Sequence, residues 1–183
     1  MWRRRNQVED SSRHDAEAAA TGLLRHLQCG GDLASITVAD ADLPLADGEL
    51  AVADVACETA RFYGTEVVYP RTRAGYYESH PAFGRRWVPN PRLDARRHRE
   101  AEAAAEPRWR DHAPARVVLT STGLRLKPFN AGAWLPFDHA LLTEVTVGPE
   151  VQLCYSVCAP LRLAGPPAAW LGIAIEHLRR TAE

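Results

Sequence analysis

The chain has 183 residues, 46% of them apolar and 25% charged, with a formal net charge of -1. Those values describe one globular domain, or one domain carrying a large insertion, and exclude global disorder. No apolar run approaches the ~20 residues needed to span a bilayer, and no apolar stretch follows the basic start MWRRRNQVEDSSRHDAE, so the expectation is a cytoplasmic protein.

In chain order, residues 1–14 read as a disordered tail. In DAEAAATGLLRHLQ, residues 15–28, Leu23, Leu24 and Leu27 sit at helical spacing, and Ala16 and Ala20 extend the stripe. Asp15 suits the start and Gly30-Gly31 the end, giving an N-terminal helix segment over 15–31. Ile36 and Val38 suggest a short extended piece. Residues 50–63, LAVADVACETARFY, alternate as a strand, although the alanines also tolerate a helix. Residues 64–91 form a long irregular stretch rich in aromatics, Gly and Pro, of a length that tends to be functional or to carry hidden structure. Residues 92–106 predict a surface helix ended by Pro107.

From Ala115 the pattern becomes that of short strands. ARVVLTS and LRLKPF read as a hairpin, Asn130-Ala131-Gly132 turns into AWLPF, and LLTEVTV places Leu141, Thr143, Val145 and Val147 on one face. VQLCYSVC reads as one strand, broken by Ala159-Pro160 before a final strand at Leu161-Arg162-Leu163. Gly165-Pro166-Pro167 then leads into a helix whose stripe of Trp170, Ile173, Ala174 and Leu178, widened by Leu171 and Ile175, calls for burial. Closely spaced short strands predict an antiparallel barrel or sandwich.

Charge is distributed unevenly. Residues 32–66 carry eight acids against Arg61, and residues 67–127 carry thirteen Arg or Lys against six acids. The split suits either an anionic partner or attraction between two parts of one fold, and the balanced total favours the internal reading. The chemical motifs sought are missing from the sequence: there is no Gly-rich phosphate loop, GxSxG, HExxH or zinc-ribbon spacing. His98 and Glu102 stand four apart on the expected helix, where a solvated contact is far commoner than a shared metal. Cys154 and Cys158, read as lying on one strand, would be ~13 Å apart, too far for one ion or one disulfide, so four reduced thiols are expected. Asp138-His139 reads as a turn. No catalytic residue, metal site or cofactor is expected.

Tyr76, Tyr77, His80, Arg85, Arg86, Trp87, Arg108, Trp109 and Arg110 form a basic aromatic series and the candidate binding surface. The competing reading packs Trp87 and Trp109 as internal contacts and pairs the arginines with the acidic segment.

LADGELAVADVACETAR, ARVVLTSTGLRLK, GAWLPFDHALLTEV and PLRLAGPPAAWLGIAIEHL together resemble the pleckstrin-homology (PH) superfold and its GRAM-like bacterial relatives. In particular, they resemble uncharacterised actinobacterial proteins with a C-terminal PH/GRAM-like barrel. The resemblance covers residues 113–181 well and 45–63 weakly. It implies an α+β chain: an antiparallel β-barrel or half-barrel over 32–182, closed by the C-terminal helix, with a helix-containing insertion at 64–112 between its first two strands. It supplies no catalytic residues. The expectation is a non-enzymatic binding or scaffold module for a protein partner, with a possible contact to anionic lipid or phosphate. The alternatives are a small hydrolase or transferase using the insertion and barrel mouth, and, more weakly, nucleic-acid binding through 85–110.

Overall fold

The computed structural model describes residues 2–38, 43–82, 84–129 and 131–181, with backbone alone for 2–13. Asp40 and Asp42 of the acidic segment, Phe83, and Asn130 of the expected turn lie outside these residues. The chain divides into two compact units, one built from residues 1–62 and 109–183, the other from Tyr63–Arg108.

The first unit is a seven-stranded antiparallel sheet with a helix at each end of the chain. Helix α1 runs Trp2–Gln28, continuing through the segment expected to be a tail, and ends at Gly30, whose φ of 83° suits a helix terminus. Ala20 and Leu23 are buried and Leu27 packs beside them, whereas Leu24, expected in the same stripe, faces solvent. A short 3-10 turn at Leu33–Ile36 follows, capped by the Asp32 carboxylate, which accepts the Ala34 amide at 3.1 Å. The strands of the sheet are β1 (Ala51–Tyr63), β4 (Arg108–Thr120), β5 (Gly123–Pro128), β6 (Leu135–Asp138), β7 (Leu142–Thr146), β8 (Val151–Tyr155) and β9 (Cys158–Ala164). The second unit holds β2 (Gly75–His80), β3 (Gly84–Pro89) and α2 (Pro91–Ala105). The ambiguous 50–63 segment is therefore a strand, and β4 starts seven residues before the expected Ala115.

The strand order is β6-β5-β4-β1-β9-β8-β7. β6 and β7 lie on opposite edges, yet only His139–Leu141 separate them in sequence. Laid flat, seven strands would hold those edges about 29 Å apart. The steps from Asp138 to Leu142 reach at most about 14 Å. The sheet must therefore curl until its edges approach. They do not pair among the described residues, so the closed form of the expected barrel is not present. The Asp138 carboxylate accepts the Ala140 amide at 2.9 Å, and the His139 amide donates to the Thr122 carbonyl, which fix this joint.

Two further expectations are corrected by the last strands. VQLCYSVC is not one strand: β8 stops at Tyr155, Ser156-Val157 turn, and β9 begins at Cys158. Cys154 and Cys158 thus lie on neighbouring strands, which removes the spacing argument that kept them apart; both are free thiols. Pro160, expected to break the chain, sits inside β9. It is tolerated because the β8–β9 register shifts between Leu153 and Tyr155 and the β1–β9 ladder stops at Arg61–Leu161, so no partner calls for its missing N–H. In β7 a similar irregularity between Leu142 and Glu144 leaves Leu142 buried and Leu141 and Val147 exposed, against the simple alternation.

The core joins Val117, Leu119, Leu124, Leu153, Leu161 and Leu163 of the sheet to Ala168, Leu171, Ala174 and Ile175 of α3 (Ala168–Thr181). Helix α3 packs along α1 and against β7 and β8. Gly172 permits this approach: a Cβ there would lie 2.7 Å from Val151 Cγ2. The seal is made by Leu171 and Ile175, both fully buried, while Trp170, Ile173 and Leu178 are half-buried at its margin. Across the other face of the sheet, Ala51 and Val118 form a small cluster with Leu43, Leu45 and Trp134.

Two ion pairs tie β1 and the segment before it to the next strands. Glu49, 7% exposed, accepts from the Thr120 hydroxyl at 2.5 Å, the Thr122 hydroxyl at 2.6 Å, the Ala46 amide at 3.0 Å and the Arg125 guanidinium at 2.9 Å. Asp54 receives Arg116 through both carboxylate oxygens, at 2.5–3.2 Å, beneath the Trp134 ring.

Leu171→Ala should destabilise the protein by about 2–5 kcal/mol through the cavity left behind, and Trp170→Ala by less. Urea unfolding of both variants checks the ranking, and the reverse order would move the seal to Trp170. Burial alone would push the Glu49 carboxyl up, but its hydrogen bonds to Thr120, Thr122 and the Ala46 amide, with Arg125, outweigh that and bring it from 4.5 to about 2. The folded state thus favours the carboxylate. The resulting stability, on the order of 3 kcal/mol, is full above about pH 4.5 and is lost as pH falls towards 2. Glu49→Gln should flatten the pH dependence of the urea midpoint across that window; curves parallel to wild type would remove Glu49 from this role.

Candidate functional site

The second unit is built around a hairpin that sequence periodicity did not reveal. β2 (Gly75–His80) and β3 (Gly84–Pro89) form a two-stranded antiparallel ribbon inside the stretch expected to be irregular. The signal was present in short form: Tyr76–His80 and Arg85–Val88 are runs of strand-compatible residues around His80-Pro81 and Gly84. Helix α2 (Pro91–Ala105) follows, close to the expected 92–106. Its N-cap is Asn90, whose side-chain oxygen accepts the Leu93 amide at 3.0 Å.

The ribbon's base is locked to the helix start. The buried Ala74 donates its amide to Asp94 Oδ1 at 3.1 Å, and its carbonyl accepts the Asn90 amide at 2.8 Å. Before the ribbon, the Thr65 amide donates to the Ala105 carbonyl, and Tyr69 lies across α2, its hydroxyl on Glu102 at 3.2 Å and its ring 4.9 Å from that of His98. His98 and Glu102, weighed above as a metal pair, therefore share a tyrosine. The bond to Glu102 pushes the Tyr69 phenol up.

Cross-strand register sorts the candidate residues onto two faces. Tyr77 opposes Trp87 and Ser79 opposes Arg85 on one; Tyr76 opposes Val88, Glu78 opposes Arg86 and His80 opposes Gly84 on the other. On the first face the Tyr77 and Trp87 rings meet edge-on, centroids 5.0 Å apart, and the Arg85 guanidinium lies 4.4 Å from the Tyr77 centroid. The Trp87 indole reaches diagonally over Gly75, where a Cβ would collide with the indole and the Val88 carbonyl. Tyr76, Tyr77 and Trp87 remain 53%, 58% and 43% exposed, and Arg85 and Arg86 are exposed beside them. A ribbon wet on both faces buries little apolar surface, so its large rings gain little from folding alone.

The remaining candidates stand elsewhere. Arg108 opens β4 at the end of the second unit, and Trp109 and Arg110 belong to the first. Trp109 packs edge-on against Phe62 at 5.3 Å with the Arg162 guanidinium over its ring, and is a packing residue of the sheet. The ribbon thus brings together Tyr76, Tyr77, His80, Arg85, Arg86 and Trp87 and leaves out the other three.

The first unit offers a different surface, a groove of about 520 Å³ between α1, the Ile36–Val38 segment, the start of β1 and the Pro166–Trp170 corner. Its lining is apolar apart from Thr37 and Asp54, and Asp54 is engaged by Arg116. The groups of this unit whose titration the fold displaces are not gathered there. Burial, then Glu58, pushes the Cys57 thiol up to about 12; burial foremost also raises the Tyr155 phenol; burial lowers His139. All three are thereby kept uncharged in the packed interior. Among the described residues no group of three His, Cys, Asp or Glu is placed to hold a metal, and no helix is long and apolar enough to cross a membrane. No family model matches the chain, and no curated protein does.

Gly75→Ala should displace the Trp87 indole and destabilise the ribbon by about 1–3 kcal/mol. The Trp87 indole Nε1–H resonance should move while those of Trp109 and Trp170 stay in place. An unmoved Trp87 signal would mean that the indole does not rest on Gly75.

Proposed function

We propose that the protein is a non-enzymatic, PH/GRAM-like binding module that recognises a protein partner through the β2–β3 ribbon. The half-barrel reading is supported by the sheet order, with β1 beside β9 and the sealing helix directly after β9. The binding reading is carried by one observation: Tyr76, Tyr77 and Trp87 stand exposed with Arg85 and Arg86 on a ribbon of only two strands. Exposed aromatic and arginine side chains on a fixed scaffold are the residue types that dominate protein interfaces. The non-enzymatic reading draws support from the groove, whose only polar side chains are Thr37 and Asp54, so it gathers no histidine with a nucleophile and a carboxylate.

A photo-crosslinking residue at Tyr76 tests the proposal in native lysate. A discrete protein adduct is expected, lost in Tyr77→Ala/Trp87→Ala and kept in Val157→Ser, a change at a 69% exposed turn residue. Flotation with anionic vesicles forms the second arm. Vesicle binding without a protein adduct, or an adduct indifferent to the double variant, would overturn the reading.

A further inference from the structure

We infer that the free edge of β3 receives an extended acidic segment of the partner as a third strand; this inference rests on the binding reading above and specifies its chemistry. Among the described residues β2 and β3 pair only with each other, so each strand has an outer edge without a third strand. An open edge is a template for strand addition, in which main-chain hydrogen bonds supply affinity and alternate side chains supply specificity. Charge decides which edge and which guest. β3 carries Arg85 and Arg86 in succession, hence one guanidinium on each face of the ribbon, whereas β2 carries Glu78. The whole unit of residues 63–108 has nine arginines against six acids, a net of +3. Two cationic side chains on opposite faces of one edge repel a second copy of that edge and favour a strand bearing carboxylates on both faces.

The register of β3 then spells the guest. Trp87 follows on the Arg85 face and Val88 on the Arg86 face. An antiparallel guest therefore places two apolar residues opposite Val88 and Trp87, then two acids opposite Arg86 and Arg85. Read from its N-terminus, the motif is apolar-apolar-acid-acid. Beyond Val88, Pro89 has no N–H to offer, which sets where pairing stops. Single-stranded nucleic acid is the competing guest for aromatics beside arginines. The geometry disfavours it, because the Arg85 guanidinium lies over the Tyr77 ring and Trp87 meets that ring edge-on, while Tyr76 stands alone on the other face, so neither face offers a row of parallel rings for successive bases.

The test uses the full chain and a capped Thr-Val-Val-Glu-Glu-Thr peptide, followed by amide resonances and hydrogen exchange. The expected result is chemical-shift change and exchange protection confined to Arg85–Val88. A Lys-for-Glu peptide, a peptide N-methylated at alternate amides, and Arg85→Glu/Arg86→Glu protein should each bind roughly tenfold more weakly or worse. Far-ultraviolet dichroism of the protein variant shows whether it is folded, and the two altered peptides keep the test independent of it. Equal binding of the N-methylated peptide, equal binding of the lysine peptide, protection elsewhere, or tighter binding of a thymidine oligonucleotide at the same residues would each overturn the inference. Absence of peptide binding alongside a crosslinked partner that still requires Trp87 would overturn strand addition and leave the binding reading standing. Absence of both would remove the two together.

Discussion

Three residues, His139–Leu141, decide the shape of the sheet. They carry the chain from one edge strand to the other, a distance that a flat sheet would make twice too long for them. Curling follows from chain length alone, and with it comes a concave interior that the strands cannot fill from one side. Leu171 and Ile175 of α3 complete that interior, and α1 packs along α3 in turn. The sheet's curvature thus follows from one short connection, and α3, with α1 along it, packs against the sheet so curved. His139 opens that connection and is its buried member, and burial pushes its imidazole towards the neutral form, whereas Ala140 and Leu141 are exposed.

Charge within the chain divides along the same architecture. Two of the acids that crowd residues 32–66 are used internally in the first unit: Glu49 ties the segment before β1 to Arg125, and Asp54 ties β1 to Arg116. These pairs join segments far apart in sequence and stand partly out of water, the Glu49 carboxylate most deeply, where a lost partner costs most. The arginines of the ribbon are arranged differently. Arg85 rests on a tyrosine ring and remains exposed, and Arg86 stands opposite Glu78 on the far face. One set of charges holds the fold; the other is presented by it.

The sequence made some of this legible and concealed the rest for identifiable reasons. Helices α2 and α3 and the strand pair β4–β5 are long or strongly patterned, and their periodicity survives without tertiary context. The ribbon was hidden because neither of its faces is buried: with no wet-versus-dry alternation, a strand leaves little trace in hydropathy. Residues 151–158 were read as one strand because Ser156-Val157 continues the alternation of polar and apolar residues through a turn, and only pairing partners reveal the reversal. Helical spacing puts Trp170, Ile173 and Leu178 in the main stripe and Leu171 and Ile175 at its edge, but the helix presents Leu171 and Ile175 inward and leaves the indole at the margin. Of the candidate site, the residue types were readable and their grouping was not. Register placed Tyr77, Arg85 and Trp87 together on one face, and chain continuity could not show that Trp109 belongs to a different unit.

Pro160 also sets where one ladder of the sheet ends. β9 lies between β1 and β8, and β1 continues to Tyr63, beyond the last paired residue Arg61. Carried one step further in the same register, the ladder would set Pro160 opposite Phe62, and a proline has no hydrogen to give. A single imino acid at the mouth of the ladder thus closes it two residues short of the end of β1, so that the last pairing with β9 is surrendered and the side chains there are left to other contacts, as the Phe62 ring is to Trp109.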